Sequence, residues 1–305
     1  MKKTIISIIS LAVVVIAGVG AYFLTRSSSP KTPVPHEQAA TTTPPRSGGE
    51  QTGGAQDSGK TSVIGKSVEG RDITAYQFGN GDTKILFVGG LHGGYEWNTT
   101  LVAYELMDYL AKTQGVIPAK VQVTVIPVVN PDGLVKVVGT AGRFAKADVS
   151  SSTATQISGR FNANRVDLNR NFDCDWQSAG KWQKTAVSGG GKAFSEPESQ
   201  SIQAYVEANH PSAVIVWYSA AGGVFSSNCN AGVSAETRAL TNLFATASGY
   251  PAHESFDFYE TTGDMPNWLA KKNIPAISVL LSTHEDTEWA KNQKGIEALL
   301  LHYAK

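Results

Sequence analysis

GRFNANRVDLNRNFD, residues 159–173, is the most informative segment of this 305-residue chain. Arg160 and Arg170 stand among several side-chain amides within one short loop. A guanidinium binds a carboxylate through two parallel hydrogen bonds, and amides add further donors. The segment is therefore a candidate carboxylate-binding loop. The alternative is a solvated turn in which only Val166 and Leu168 are buried.

Strand-like runs and helical patterns alternate on both sides of this loop. The strand-like runs lie at residues 84–88, 121–129, 213–217 and 276–281, and the helical patterns at 97–111, 195–208, 234–249, 265–272 and 287–303. Such alternation predicts an α/β domain with a mixed, mostly parallel twisted sheet and helices on both faces. Residues 130–133 (NPDG) are predicted to form a turn, and residues 134–192 to be rich in loops.

A second polar motif follows the strand-like run at residues 84–88. His92 and Glu96 lie four residues apart at a predicted loop-to-helix junction, so both side chains can face one metal ion. Sites in such sheets gather at the carboxyl ends of strands, which is where this motif falls. A surface salt bridge between the two residues is the alternative.

The chain resembles the zinc metallocarboxypeptidases of the carboxypeptidase A/B and D/E type, from about residue 64 to residue 302. The loop at residues 159–173 resembles that family's GR-x-N-x-x-G-V-D-L-N-R-N-F signature. Shorter motifs follow the family's order, namely IGKSVEGR (64–71), NPDG (130–133), SEPES (195–199) and YETTGD (259–264). The resemblance implies a carboxypeptidase-like fold, zinc as the cofactor, and peptides with a free C-terminal carboxylate as partners.

The resemblance assigns three metal ligands, and one of them is replaced. His92 and Glu96 match the family's first two zinc ligands, with one residue more between them than the usual spacing. Tyr218 stands where the family has its third ligand, a histidine. A phenol ligates zinc only as phenolate, and with an ordinary pKa near 10 it is a poor substitute for imidazole. The sequence therefore leaves zinc binding open.

The residues that the resemblance assigns to the substrate are all present. Arg160 matches the arginine that polarises the scissile carbonyl and holds the oxyanion. Asn169 and Arg170, called the clamp below, match the pair that grips the terminal carboxylate. Tyr259 matches the mobile tyrosine that closes over the substrate. Asp264 is a candidate for selecting a basic or amine-bearing terminal residue, such as a diaminopimelate-like one, and helix capping is its alternative role.

The general base that the resemblance implies is missing. Leu280, or Leu281 if the register slips by one, stands where the family has a glutamate on its last strand. Leucine can neither deprotonate a zinc-bound water nor protonate a leaving amine, and such catalysis is worth about two to four orders of magnitude. His284 follows this strand and is expected to be solvated at the surface, with a position at the rim of the cleft as the alternative.

Two classes of function remain open. One is a zinc carboxypeptidase acting on C-terminal residues of extracytoplasmic peptides, with cell-wall peptides as one candidate class. The other is a membrane-tethered peptide-binding module that has lost hydrolysis, or an inactivated variant of an active carboxypeptidase. Lys and Arg total 26 and Asp and Glu total 26, so the balanced charge argues against nucleic acid as a partner.

The N-terminal region predicts where the domain is located. Residues 4–25 (TIISIISLAVVVIAGVGAYFLT) are uncharged and long enough to span a bilayer as a helix. They predict a transmembrane anchor with residues 1–3 as a short cytoplasmic end, and a cleaved signal peptide is the alternative. Residues 26–60 are predicted to be a flexible Ser/Thr/Pro/Gly linker, and residues 61–305 the carboxypeptidase-like domain. The domain is therefore expected on the extracytoplasmic side, membrane-anchored or, after cleavage, secreted.

The chain has two cysteines, Cys174 and Cys229, and each follows a predicted site loop. Oxidation is permitted in an exported domain. A disulfide that braces the cleft is the hypothesis, and two buried free thiols are the alternative.

Overall fold

The computed structural model describes residues 59–305 of the chain. Among these residues, no helix combines the length and the apolar character needed to cross a membrane. The predicted anchor at residues 4–25, the short end at residues 1–3 and nearly all of the predicted linker at residues 26–60 lie outside the described segment.

A mixed eight-stranded sheet forms the centre of the described segment. The described segment has ten strands, eight of them in this sheet: β1 (Lys60–Lys66), β2 (Asp72–Gly79), β3 (Thr83–Val88), β4 (Val121–Ile126), β5 (Ala179–Trp182), β6 (Thr185–Ser188), β7 (Ala213–Ser219), β8 (Gly223–Ser226), β9 (Ala252–His253) and β10 (Ala276–Leu281). The sheet order is β1-β2-β4-β3-β7-β10-β8-β9, and β5 and β6 form a separate hairpin. The central strands β4, β3, β7 and β10 run parallel, with antiparallel pairs on both sides, β2–β4 and β10–β8. The predicted sheet is confirmed.

Helices cover both faces of this sheet. They are α1 (Trp97–Lys112), α2 (Pro131–Val138), α3 (Thr153–Ser158), α4 (Pro197–Asn209), α5 (Ala235–Ser248), α6 (Met265–Lys271) and α7 (Trp289–Tyr303). Side chains of β7 alternate between two apolar layers, as the period of a strand requires. Ile215 and Trp217 belong to the layer of α1, α5 and α7, while Val214 and Val216 belong to the layer of α4 and α6. The predicted α/β architecture is confirmed.

The prediction for residues 130–133 is wrong. These residues begin a helix, because the Asn130 side chain accepts a hydrogen bond from the Gly133 N–H at 2.8 Å and Pro131 occupies the first turn of α2. Asparagine as a cap followed by proline is a favoured helix start. The same residue types also favour turns, so their order alone did not separate the two structures.

Parallel strands bring their carboxyl ends to one edge of the sheet. On this edge Leu280 of β10 lies directly beside Tyr218 of β7, and His92 follows β3. A disulfide joins Cys174 to Cys229 with their Cα atoms 6.0 Å apart, which confirms the hypothesis of a bond. It ties the loop that follows the clamp to the loop that follows β8.

Candidate functional site

A cavity of about 500 Å³ lies at the carboxyl ends of β7 and β10. Eight of the nine site residues proposed from the sequence line it: His92, Glu96, Arg160, Asn169, Tyr218, Tyr259, Asp264 and Leu280. The ninth, Arg170, is buried behind the cavity wall. The strands and loops therefore assemble residues that are up to 188 positions apart in the sequence.

Arg160 is fixed by a buried ion pair with Asp167. Its Nε donates to Asp167 Oδ2 at 2.9 Å, and its Nη2 lies 2.9 Å from the same oxygen. Burial alone would raise the pKa of Asp167, but the adjacent guanidinium holds that pKa well below its usual range. Conversely, Asp167 and Glu96 raise the pKa of Arg160 against the effect of burial. The ion pair therefore favours the charged form of both side chains.

His92 lies between two carboxylates. Its Nδ1 is 3.0 Å from Glu96 Oε1, and its Nε2 is 3.4 Å from Asp167 Oδ1. Neither contact has the geometry of a hydrogen bond, so both ring nitrogens are buried without a partner. A carboxylate next to one ring nitrogen, here Asp167 near Nε2, leaves the other nitrogen to face a metal ion. His92 and Glu96 thus fit two ligands of one metal ion.

Tyr218 does not supply the third ligand. Its hydroxyl donates to Asn169 Oδ1 at 3.0 Å. Burial, with Asp264 and Glu96 nearby, raises the pKa of this phenol well above its ordinary value, so the side chain is neutral. A catalytic zinc site takes three protein ligands. The residues present therefore do not fit the zinc centre that the resemblance implies.

Residues 59–305 hold no other complete ligand set. The single group of three potential ligands with atoms within 4.8 Å of one another is Cys174, Asp175 and Cys229. Its two sulfur atoms are joined in the disulfide and are not available to a metal.

Leu280 gives the cavity an apolar wall where the family resemblance places a glutamate. The residue is 6% exposed and lies in register with Tyr218 on the neighbouring parallel strand. The carboxylates that line the cavity are Glu96 and Asp264. Asp264 caps a helix, and Glu96 lies beside His92 as a candidate metal ligand.

The two clamp residues differ in their position relative to the cavity: Asn169 lines it and Arg170 does not. Asn169 Oδ1 accepts from the Tyr218 hydroxyl at 3.0 Å and from the Met265 N–H at 3.1 Å, so the Nδ2 group remains for a ligand. Arg170 differs from the expectation, because Nε and Nη2 donate to the Lys181 carbonyl at 3.0 and 2.6 Å, and Nη1 donates to the Asn169 carbonyl. A guanidinium has five N–H donors, which leaves one on each Nη.

Asp264 caps a helix, as the alternative role predicted, and it also lines the cavity. It caps α6, accepting from the N–H and the Nδ2 of Asn267 at 3.2 and 2.8 Å. It also lines the cavity, and burial raises the pKa of its carboxyl group against the opposing charge of Arg170. Asn228 Oδ1, another atom of a cavity-lining residue, is buried without a hydrogen-bond partner. This end of the cavity is thus rich in acceptors.

Several aromatic residues of the site were not proposed from the sequence. The Trp182 ring lies 4.7 Å from the Arg160 guanidinium and packs edge-on against Tyr95 at 4.9 Å. The expectation for His284 is wrong, because its ring packs 4.7 Å from Tyr95 and lines the cavity. Burial lowers the pKa of His284, which favours the neutral imidazole. Only a prediction of the β5–β6 hairpin would have located Trp182.

The opposite wall is a cluster of aromatic rings. Phe256 lies 5.5 Å from Phe225, 5.2 Å from Phe258 and 5.0 Å from Tyr259. Tyr259, predicted to close over the substrate, stands 5.9 Å from the Arg170 guanidinium. Burial raises the pKa of its phenol, so Tyr259 is a neutral donor at the cavity.

The sequence matches a known family over most of its length. A family model described as zinc carboxypeptidase matches residues 55–298. A zinc carboxypeptidase from Simulium vittatum is 29% identical over 153 residues, which are 48% of each chain. Carboxypeptidase D from Mus musculus is 28% identical over 122 residues, which are 36% of this chain and 8% of that protein. The matches thus span about half or less of these relatives.

Solved structures share the fold. A murein-tripeptide amidase, MpaA from Escherichia coli O157, aligns with a TM-score of 0.58 and 19% identity over 82% of this chain and 94% of its own. A carboxypeptidase A from Helicoverpa armigera aligns with a TM-score of 0.63 and 18% identity over 81% of this chain and 68% of its own. At these identities the likeness concerns the fold alone.

Proposed function

Because the chain belongs to the zinc carboxypeptidase family, we propose that it binds peptides with a free C-terminal carboxylate and does not hydrolyse them. The observation that carries the proposal is the state of Tyr218. A neutral phenol occupies the position of the third zinc ligand and donates its hydrogen bond to the clamp residue Asn169. The side chain that replaces a metal ligand thus supports the substrate-binding part of the site.

The binding role rests on donors that face the cavity or lie just behind it. Asn169 Nδ2 makes no hydrogen bond to other residues of the segment 59–305, and the Arg170 guanidinium adds a positive charge behind it. A carboxylate that accepts from an amide beside a buried cation forms a charge-assisted contact. Arg160 adds a second positive charge at the same cavity, although Asp167 balances it.

The loss of hydrolysis rests on two replaced side chains. Tyr218 provides no third metal ligand, and Leu280 provides no acid or base. Both line the cavity and are buried, at 5% and 6% exposure. General acid–base catalysis is worth about two to four orders of magnitude, and an incomplete metal site costs more.

The second candidate function is hydrolysis by a zinc carboxypeptidase. It is favoured by the contact of His92 with Asp167 on one side and Glu96 on the other, which is how a metal-binding imidazole is oriented. Under this candidate, a water molecule or another side chain completes the ligand set. Metal content and product analysis separate the two candidates.

The peptide class is proposed from the acceptor-rich end of the cavity. The Asp264 carboxylate and the Asn228 carbonyl would receive a side chain that carries an amine. Cell-wall peptides contain such residues, and a murein-tripeptide amidase shares the fold. With the N-terminal anchor predicted from the sequence, the proposal places a tethered binder of extracytoplasmic peptides at the membrane.

The test uses the full chain, purified in detergent without chelators, and pairs of peptides that end in a carboxylate or in the matching amide. Calorimetry should give about 10- to 100-fold tighter binding of the acid, because a hydrogen bond to a charged group contributes about 1.5–3 kcal/mol. Mass spectrometry should show no shortened peptide. Asn169→Ala should remove the preference, whereas Asn209→Ala on α4 should keep it. Equal affinities, or cleavage by the unmodified chain, would contradict the proposal.

A further inference from the structure

We infer that Tyr218 is a positioning residue, whose hydroxyl holds the Asn169 side chain with its Nδ2 donors toward the peptide carboxylate. The inference rests on the proposed function, since it explains how the clamp selects a carboxylate. In the zinc-binding interpretation, tyrosine at this position only removes a metal ligand. The inference gives the tyrosine a role in orienting the clamp.

The contacts of the Asn169 amide fix its direction. Oδ1 accepts from the Tyr218 hydroxyl at 3.0 Å and from the Met265 N–H at 3.1 Å. The Met265 N–H can only donate, so a flipped amide would set N–H groups against it and leave one buried donor unsatisfied. With the oxygen held inward by two donors, Nδ2 is turned the other way, toward the space where a ligand enters.

Among residues 59–305, the Tyr218 hydroxyl makes its side-chain hydrogen bond to Asn169. Leu280 lies beside it on β10 and carries no polar side-chain atom. The ring of His92 is 5.5 Å from the tyrosine ring, centroid to centroid, and makes no hydrogen bond with it. A glutamate in place of Leu280 would compete for the hydroxyl. The two replaced residues therefore act together, one as a donor and the other as an apolar neighbour.

The first experiment removes the hydroxyl and keeps the ring. Tyr218→Phe in the full chain should lower the ratio of acid to amide peptide affinity by about 3- to 10-fold, the effect of one hydrogen bond, while the affinity for the amide peptide stays the same. Tyr205→Phe is the matched control, because the Tyr205 hydroxyl also makes a side-chain hydrogen bond, to Thr124 at 3.0 Å, away from the cavity. It should leave the ratio unchanged.

The second experiment is a double-mutant cycle with Asn169→Ala. If Tyr218 acts through Asn169, then Tyr218→Phe changes the ratio in the unmodified chain and has no effect in the Asn169→Ala background. A structural role would lower both affinities together and would leave the two backgrounds alike. Tyr218→Met, which lacks the hydroxyl and has a flexible apolar side chain, repeats the cycle if the phenylalanine variant does not fold in a circular dichroism assay.

The outcomes separate this inference from the proposed function. An unmodified chain that binds acid and amide peptides equally overturns the proposed function itself. An unmodified chain that prefers the acid, with a Tyr218→Phe variant that keeps the full preference, overturns the inference and leaves the function standing. A reduced ratio that persists in the Asn169→Ala background also overturns it, because the effect would then not pass through the amide.

Discussion

The two halves of the cavity differ in which of the family's functional residues they retain. The clamp half keeps Asn169, and its amide is held by two donors. The other half, which in the family holds metal and base, keeps His92 and Glu96 but has Tyr218 and Leu280 in the remaining positions. The tyrosine donates to the clamp half, and no side chain completes the other. Under the proposed function, recognition of a peptide end and its hydrolysis are separable on this fold.

The test with the largest expected effect restores the metal ligand and the base in the other half of the cavity. Tyr218→His with Leu280→Glu should create hydrolysis of C-terminal residues, because the first change completes the ligand set and the second adds the base. The double variant should exceed Tyr218→His alone by about two to four orders of magnitude, the worth of general acid–base catalysis. Release of C-terminal residues from a broad peptide panel is measured by mass spectrometry.

Leu280→Glu alone is the control for this restoration. It should give no hydrolysis and should lower the stability, since it buries a charge in an apolar wall. If the double variant stays inert while folded and loaded with zinc, the assignment of Tyr218 and Leu280 to the catalytic positions is wrong.

Zinc content gives the next largest effect. The unmodified chain should carry little zinc by elemental analysis, and Tyr218→His should carry close to one ion per chain. Since loss of an outer partner alone costs 10- to 100-fold in affinity, gain of a direct ligand should raise it by at least about 100-fold. Tyr109→His, which adds an imidazole on α1 away from the cavity, should bind no more zinc than the unmodified chain. Stoichiometric zinc in that unmodified chain would favour a zinc carboxypeptidase over a binding module. Both halves of the cavity would then serve hydrolysis.

Much of this contrast could be predicted before the structure, because the family resemblance implies the roles of these positions and local patterns place the strands that carry them. β7 and β10 are compact apolar runs, and the residues at their carboxyl ends, Tyr218 and Leu280, fall on the site edge whenever the strands are parallel. The loop at residues 159–173 was identified by its residue types.

The rest depends on contacts that a local pattern does not contain. The β5–β6 hairpin has two four-residue strands, too short for a clear alternation, and its Lys181 carbonyl is what turns Arg170 away from the cavity. His284 is half-buried only because Tyr95, far along the chain, packs against it. The helix start at Asn130 has the composition of a turn. These features arise from tertiary packing or from ambiguous residue types.

The preference for an amine-bearing terminal residue tests the acceptor-rich end of the clamp half. A peptide that ends in lysine should bind about 10-fold more tightly than one that ends in norleucine, because Asp264 provides a charged acceptor. Its raised pKa means that the carboxylate forms only at a higher pH than for an ordinary aspartate. The preference should therefore be present above that raised pKa and disappear as the pH falls through it.

Asp264→Asn should remove both the preference and its dependence on pH. Asparagine also caps helices well, so the fold should be kept. Asp148→Asn, at an exposed cap remote from the cavity lining, is the matched control and should change neither. A preference that survives Asp264→Asn would end this part of the proposal.

The smallest expected effect concerns Trp182, which covers Arg160 from the hairpin. Trp182→Ala should weaken acid and amide peptides alike by about 3-fold, since a cation–π contact contributes roughly 0.5–1 kcal/mol and the ring covers the cavity without touching the clamp amide. Calorimetry on the same peptide pairs measures it. A fall in the acid preference alone would show that carboxylate recognition extends across both halves.

The side-by-side register of Tyr218 and Leu280 also limits how such a protein could regain catalysis over generations. A glutamate arriving first would be a buried charge without a metal ion nearby, which costs several kcal/mol in a domain whose total stability is about 5–15 kcal/mol. A histidine arriving first yields a folded zinc binder that selection can retain. An active descendant would thus acquire the zinc-binding histidine at position 218 before the general-base glutamate at position 280.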